Sequence, residues 1–358
     1  MVLKKRIVYL NKRVDTVQIK MCDIDGKWSQ INFNNVTSLT MSKSKNAILY
    51  VDKKGQVRGE NNDRIQCREN YKTHLSAAMS GDSSKKIHGK RCQVGELVRD
   101  ALKCYGTSSG GEQSVRNTIN MQWESNKANN KGLEGKSIVC MCDTSGSMEC
   151  DDSLPLHNAI GMSIRISELV DEESGFKNRI MTFDSHPTWV QTDDSMDFVA
   201  KAQTVRGAAW GTSTDFFLAL DKILEVLVEN EIHPDVVRNL IFAVFSDMQF
   251  DCSYHNGGIF DTAEEKIRKR FAEGGMNTKW SEPYEMPHIL FWNLRKTNGF
   301  PATSLSKNIT FLSGYSSTLM NVFCTKGIEA LRSVTPMTML SDLLDSDRYN
   351  IVENYIVV

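Results

Sequence analysis

Residues 137–147 read SIVCMCDTSGS, an unbroken apolar run that ends in an aspartate and a loop rich in hydroxyl side chains. Apolar runs of this length, without alternation, are typical of a parallel strand that is buried on both faces. The residues that follow, LHNAIGMSIRISELV, place apolar side chains at helical spacing. The stretch therefore predicts a strand, a loop and a helix, with polar groups gathered where the strand ends.

The same alternation of strand and helix continues to about residue 330. Further strands are predicted at RIMTFD, TWVQT, IFAVF, HILFWNL and NITFLSG, and helices at MDFVAKAQTV, TDFFLALDKILEVLVEN, FDTAEEKIRKRFAEG and STLMNVFCTKGIEALRSV. This order predicts an α/β fold, a doubly wound and mostly parallel sheet with helices on both faces. We expect SIVCMC and IFAVF to be neighbouring inner strands, TWVQT to be a short edge strand, and residues 331–358 to form a C-terminal helix and tail packed on this domain.

Residues 1–136 are predicted to form a smaller N-terminal appendage, mixed extended and helical. Four short apolar runs, RIVYL, VQIKM, SQINF and AILYV, are separated by polar residues and indicate strands or extended segments. The segment 93–104 has apolar residues at helical spacing and predicts an amphipathic helix. TSSGGEQS at 107–114 predicts a loop, NTINMQWES a short helix, and the domain boundary is placed at residue 136.

The composition is that of a soluble globular protein. Hydrophobic residues make up 40% and charged residues 24% of the 358 residues, and no apolar run approaches the roughly 20 residues that a membrane span needs. The amino terminus does not have the pattern of a secretory signal. Nine cysteines without a C-x-x-C pair are expected to be reduced thiols. We therefore expect an intracellular protein, cytoplasmic or, if viral, in the virion, that is neither secreted nor bound to a membrane.

The net charge of -1 conceals two halves of opposite sign. Residues 1–136 contain 25 Lys and Arg against 13 Asp and Glu, whereas residues 137–358 contain 18 against 31. A basic half can bind a polyanion such as RNA, or it can dock on the acidic part of the same chain. The sequence leaves both alternatives open.

Three loops carry oxygen-bearing side chains at positions where an α/β sheet binds ligands. Asp143, Ser145 and Ser147 follow one strand, Thr214 lies directly before a helix, and Asp247 follows the IFAVF strand. Ligands of such sheets bind beyond the carboxyl ends of the strands, where these loops are expected to meet. Hydroxyl and carboxylate oxygens are the ligands that a hard divalent cation prefers. The sequence therefore predicts one metal site.

The D-x-S-x-S pattern after a strand, a threonine before a helix and an aspartate after a later strand resemble the metal-ion-dependent adhesion site of von Willebrand factor A-type domains. The resemblance covers residues 137 to about 330. It implies that Ser145, Ser147 and Thr214 supply hydroxyl ligands, with Thr214 preferred to Thr212, and that Asp143 and Asp247 supply charge, partly through water. It further implies Mg²⁺ or Mn²⁺ as the cation and a protein partner whose Asp or Glu completes the coordination.

The segments HILFWNLR, FPATSLSKNITFLSGYSSTLMNVF and FFLALDKIL are similar to a family described as domain of unknown function 2828. Members pair a helical region with an A-type domain, an arrangement that is distantly similar to the RNA-binding Ro (TROVE) proteins. The resemblance implies a metal-dependent protein-binding module in an intracellular or viral assembly. The alternative is an RNA-associated protein that uses its basic N-terminal half, although this half is shorter than the helical ring of the Ro proteins.

The sequence does not predict an enzyme. The segment Gly132–Ser137 ends like a phosphate-binding loop, but Asn130 occupies the position of the first glycine and the segment precedes a strand instead of following one. No G-x-S-x-G motif is present. The run Asp143-Thr144-Ser145 lacks the glycine of an acid protease and the second aspartate of a phosphotransferase. We therefore expect no catalytic residues.

Overall fold

The structure is a computed structural model, and it describes residues 6–10, 13, 16–22, 26–52, 54–104, 110–127, 133, 136–170, 175–184, 186–208, 215–250, 260–295, 308–332 and 335–345. One sheet of six strands forms its centre, with the strands in the order β3-β2-β1-β4-β5-β6. The strands are β1 (Ile138–Asp143), β2 (Arg179–Phe183), β3 (Thr188–Gln191), β4 (Ile241–Ser246), β5 (His288–Asn293) and β6 (Ile309–Ser313). Five of them are parallel and β3 is antiparallel. This confirms the predicted α/β fold.

The two inner strands, β1 and β4, are neighbours in the sheet and pair along their length. β1 and β4 are buried along their whole length, and they pair in parallel with Ile138 opposite Ile241 and Cys142 opposite Phe245. Because both strands begin and end at matching positions, their carboxyl ends lie side by side. β3 is a short strand at one edge, as predicted, and β6 lies at the other edge.

Helices follow β1, β3, β4 and β6 in sequence. After β1 come α6 (Cys150–Ser167), α7 (Phe198–Arg206), α8 (Phe216–Glu229), α9 (Pro234–Arg238), α10 (Phe260–Met276), α11 (Ser317–Lys326), α12 (Ile328–Arg332) and α13 (Pro336–Leu344). The predicted helix 317–334 is broken into α11 and α12 at Gly327, whose φ of 78° is left-handed. The side chains of Met337, Leu340 and Leu344 on α13 are exposed, so these three do not form the predicted packing of the C-terminal helix.

The N-terminal region is helical where the sequence predicted strands. The helices before β1 include α1 (Val17–Cys22), α2 (Ser38–Ile48), α3 (Asn62–Met79), α4 (Val94–Lys103) and α5 (Gly110–Lys127), with short 3-10 turns at Trp28–Gln30 and Phe33–Asn35. The RIVYL run at residues 6–10 is helical as well. The prediction of extended segments was wrong for VQIKM, which forms α1, and for SQINF, which is divided between the two 3-10 turns. AILYV runs from the end of α2 to Val51, which forms an isolated bridge with Val57. The predicted loop was wrong over Gly110–Ser114, which begins α5, and the rest of it lies outside the described residues. The amphipathic helix at 93–104 is confirmed as α4.

The buried hydrophobic residues form two clusters. The division between them falls earlier in the chain than residue 136, where the domain boundary was predicted. Residues between Val17 and Ile87 form a small cluster. Residues of α4 and α5, such as Leu97, Val98 and Trp123, belong to the same core as the sheet. The boundary at residue 136 stays a prediction, but hydrophobic contacts cross it.

None of the helices in the described residues is long and apolar enough to span a membrane.

Candidate metal centre at the carboxyl edge of the sheet

Asp143 ends β1 and is the most constrained residue of the predicted site. Its carboxylate is fully buried, Oδ1 accepts a hydrogen bond from the Ser145 backbone N–H at 2.9 Å, and Oδ2 accepts one from the Ser246 hydroxyl at 2.5 Å. Burial raises the pKa of Asp143 to about 6, although the hydrogen bonds from Ser145 and Ser246 oppose this shift. Asp247, which is also acidic, adds to the increase. The negative charge of Asp143 is therefore costly in the protein alone.

Ser145 and Ser147 place their hydroxyl groups next to each other. Ser145 is buried and Ser147 is half-buried, and their Oγ atoms are 3.0 Å apart. A 3-10 turn follows, in which Met148 N–H donates to the Ser145 carbonyl at 3.1 Å, and this turn holds the loop. The alternating D-x-S-x-S spacing thus brings two hydroxyl oxygens together directly beyond Asp143.

Asp247 lies at the end of the neighbouring strand. It is fully buried, and its Oδ1 accepts a hydrogen bond from Gln249 N–H at 3.1 Å. Its Oδ2 lies 3.3 Å from Nη1 of Arg295, which follows the end of β5. Between Asp143 and Asp247 along the edge, Ser246 donates its hydroxyl to Asp143 and accepts from Met248 N–H at 3.0 Å. The structure therefore brings four of the five predicted residues to one edge.

The fifth predicted residue, Thr214, lies outside the described residues, as does Thr212. The described chain resumes at Asp215, whose backbone N–H donates to the Asp184 carbonyl at 3.3 Å. The Asp215 side chain then caps α8 by accepting from Leu218 N–H at 2.9 Å. The segment that contains Thr214 thus rejoins the described chain beside the carboxyl end of β2.

The five residues that the sequence predicted as ligands do not include three others at this edge, Asp184, Arg295 and Ser246. Asp184 is 1% exposed and lies directly after β2. Its Oδ1 accepts from His186 N–H at 2.6 Å, whereas its buried Oδ2 has no hydrogen-bond partner among the described residues. The buried Thr144 hydroxyl likewise has none within the described chain. An acid directly after a buried strand was the signal that could have identified Asp184.

The donor set fits a small, hard divalent cation that takes hydroxyl and water ligands. Mg²⁺ prefers an octahedron with metal–oxygen distances near 2.0–2.1 Å, so two adjacent ligand oxygens lie about 2.8–3.0 Å apart. The Ser145 and Ser147 hydroxyls have this spacing, at 3.0 Å. No three His, Cys, Asp or Glu side chains of the described residues are arranged to hold a metal by themselves. A cation here would therefore depend on the hydroxyls, with the carboxylates balancing its charge.

Comparison with known proteins places the chain in a family. Over 352 residues it is 27% identical to the uncharacterized protein L728 of Acanthamoeba polyphaga mimivirus, a match that covers 96% of this chain and 54% of that protein. The chain thus spans about half the length of this curated relative. The crystal structure of the Deinococcus radiodurans RO (RSR) protein aligns with a TM-score of 0.42 and 12% identity, over 81% of this chain and 60% of that one.

The family match covers the sheet and its helices. Residues 137–343 match the model of a domain of unknown function, DUF7788. The likeness to the domain of unknown function 2828 stays a prediction. Because the match spans more than half of the 358 residues, the chain belongs to the DUF7788 family.

Proposed function

We propose that this chain is a non-catalytic, metal-dependent protein-binding module of an intracellular or virion assembly. Asp143, Ser145, Ser147, Thr214 and Asp247 would hold one Mg²⁺ or Mn²⁺ at the carboxyl edge of the sheet. The observation that carries the proposal is the pair of hydroxyls 3.0 Å apart beside the fully buried Asp143. When bound, the cation supplies a coordination position that an Asp or Glu of a protein partner can fill. The mimivirus relative is consistent with an assembly of viral origin.

The charges at this edge favour a cation. Asp143, Asp184 and Asp247 end or follow adjacent strands and are at most 1% exposed. Burial of several carboxylates is unfavourable unless positive charge lies nearby. Among the described residues, Arg295 supplies such charge to Asp247 only. A divalent cation would lower the energy of the ionised Asp143, which burial otherwise disfavours.

Calorimetric titration of Mg²⁺ and Mn²⁺ tests the metal site. We expect wild-type protein to bind one cation and Asp143→Ala to bind none. Asp143→Asn sharpens the test, because a neutral amide of the same shape removes the cost of the buried charge. This variant should therefore melt at the wild-type temperature or higher and still bind no metal. If the wild type binds neither metal at millimolar concentration, the proposal is wrong.

Two threonine variants test the coordination that the family resemblance implies. Thr214→Ala should weaken metal and partner binding more than it lowers the melting temperature, whereas Thr212→Ala should change neither. A pull-down from host extract in Mg²⁺ and in chelator tests the partner. Proteins retained in Mg²⁺ but lost both in chelator and with Asp143→Asn protein as bait would support the proposal.

RNA association by the basic half is the second candidate function. The observation that favours it is a segment of four exposed cationic side chains, Lys85, Lys86, Lys90 and Arg91. If four phosphates are neutralised there, the affinity for single-stranded RNA should fall about 50-fold when salt rises from 50 to 200 mM. Absence of binding at the lower salt concentration would contradict this function, and recovery of RNA equally in Mg²⁺ and in chelator would favour it over the metal-dependent one.

A further inference from the structure

A cavity of about 850 Å³ adjoins the candidate metal centre. Its walls come from the residues after β5, the end of β6 and the first turn of α6, and its polar groups include Gln93, Asp151, Arg295, Tyr315 and Ser316. Apolar side chains, Leu154 and Leu294 among them, complete the lining. This mixture of apolar walls and a few polar groups, and the volume, are typical of a site that binds a ligand.

Arg295 belongs both to this cavity and to the metal centre. Its guanidinium lies 3.3 Å from Asp247 Oδ2, and the same side chain lines the cavity and is 33% exposed. Among the described residues that line the cavity, it is the one with a permanent positive charge. A guanidinium group binds a carboxylate through two parallel hydrogen bonds, which gives it a preference for this ligand.

Two helix starts add to the positive character of the cavity. Gln93 immediately precedes α4, Ser316 immediately precedes α11, and each of these helices has ten residues. The amino terminus of a helix carries partial positive charge and favours anions. Asp151, which is exposed, is the acid among the described lining residues. The lining as a whole therefore suits an anion held by Arg295.

A cation at the metal centre would compete with Arg295 for Asp247. Two positive groups that share one carboxylate repel each other, and the divalent ion carries the larger charge. Arg295 is partly exposed and lines the cavity, so its side chain can turn from Asp247 without passing through the core. Metal binding would thus leave the guanidinium without its carboxylate partner at the wall of the cavity.

We infer that the cavity is a second carboxylate-binding subsite, in which Arg295 binds an acidic side chain of the same partner once a cation has displaced it from Asp247. The inference rests on the proposed function. It narrows the partner to a peptide segment with two acidic side chains, one for the cation and one for Arg295. Neither site alone would then recognise the partner fully, and a partner with a single acid would bind more weakly.

Magnesium titration of Arg295→Gln tests the first half of this inference. Removal of the competing positive charge should raise the affinity for Mg²⁺ about tenfold. Arg238→Gln is the matched control, because Arg238 is exposed, forms ion pairs with Asp235 and Glu285, and lies at the amino end of β4. It should leave the Mg²⁺ affinity unchanged. An unchanged affinity in Arg295→Gln would overturn the inference and leave the metal site standing, whereas no uptake by wild type would refute both.

Binding of small carboxylates at saturating Mg²⁺ tests the second half. The probes are straight-chain dicarboxylates from succinate to suberate, with butyrate as the monocarboxylate, and binding is followed by NMR chemical-shift changes. Wild type should prefer one of the dicarboxylates to butyrate, and Arg295→Gln should lose that preference while it binds butyrate as before. Arg295→Lys should retain part of it, which separates loss of charge from loss of structure. If Arg295→Gln keeps the full preference, the cavity is not the second subsite.

Discussion

Charged groups are arranged differently at two places in the molecule. One is the junction between α5 and the sheet domain, and the other is the carboxyl edge of the sheet. At the junction, Asp197 accepts two hydrogen bonds of 2.7 Å from Arg116, and the buried Glu168 binds Lys127 at 3.0 Å and Lys201 at 2.7 Å. At the edge, the buried Asp184 Oδ2 has no partner among the described residues. The carboxylates of the junction thus pair with cations, whereas of the three buried acids at the edge only Asp247 pairs with a cation among the described residues.

The contrast also bears on the two oppositely charged halves of the sequence. Arg116 and Lys127 come from the basic half, and Asp197 and Glu168 come from the acidic half. Part of the charge division therefore serves docking within the chain, one of the two alternatives that the sequence left open. The exposed cations near Lys85 form no ion pair of this kind among the described residues.

The largest effect is expected for Trp123→Ala at the junction. Trp123 is 1% exposed, and its ring stacks on Phe198 with 3.9 Å between the ring centroids. Removal of a buried tryptophan should lower the free energy of unfolding by about 3–5 kcal/mol. Urea denaturation measures this, with Trp280→Ala as the control, since Trp280 is 39% exposed. Equal effects of the two variants would show that α5 is not part of the domain core.

Acidification should destabilise the protein by a smaller amount. His157 on α6 is 9% exposed, and burial together with the charges of Arg99 and Arg206 lowers its pKa to about 4. The unfolded chain takes up a proton near pH 6.5, but the folded protein does not, so this contribution to stability is present above pH 6.5 and is lost as the pH falls towards 4. At pH 5 the loss should be about 2 kcal/mol.

A pair of histidine variants isolates this effect. His157→Gln should lose less stability than wild type between pH 7 and pH 5, as measured by urea denaturation at each pH. His233→Gln, which removes a half-exposed histidine from the start of α9, should follow the wild type. If His157→Gln and wild type lose the same stability over this range, other groups cause the pH dependence and the pKa of His157 is not lowered in the folded protein.

The strands and helices of the sheet domain could be predicted from sequence because each has a local pattern. Strands buried on both faces, such as β1 and β4, must be continuous apolar runs, and each is followed by a turn and a helix. The N-terminal helices have a weaker hydrophobic pattern in the sequence. In α3, polar residues outnumber apolar ones, and the buried set includes His74 beside Tyr71 and Leu75, so no apolar stripe stands out.

The residues of the candidate site likewise fall into those that a local pattern identifies and those that it does not. Asp143, Ser145 and Ser147 lie within five residues of one another, so a short motif identifies them. Asp184 and Arg295 follow β2 and β5, and only the strand order brings these strand ends beside β1 and β4. The sequence does not encode that order locally. The pairing of distant segments in the sheet determines which isolated acid or base lies at the site. The sequence patterns do not give that pairing, so Asp184 and Arg295 could not be assigned to the site.

The smallest effect is expected at the carboxyl edge, and it should have the opposite sign. Asp151, Asp152 and Ser153 follow the loop that contains Ser145 and Ser147, and they adopt left-handed conformations in succession, with φ of 51°, 56° and 59°. For residues other than glycine this conformation costs about 1–2 kcal/mol each. Asp152 is exposed, so Asp152→Gly should relieve the backbone without disturbing the core.

Comparison of glycine with alanine separates the backbone effect from loss of the carboxylate. Asp152→Gly should be about 1 kcal/mol more stable than Asp152→Ala, because only glycine adopts positive φ without a steric cost. At Glu225, an exposed position within α8, the order should be reversed, since glycine costs about 1 kcal/mol relative to alanine inside a helix. Urea denaturation of the four variants gives both differences. If the glycine variant were the less stable one at both positions, the turn formed by Asp151, Asp152 and Ser153 would not be strained. The contrast between the junction and the edge would then rest on the unpaired polar groups alone.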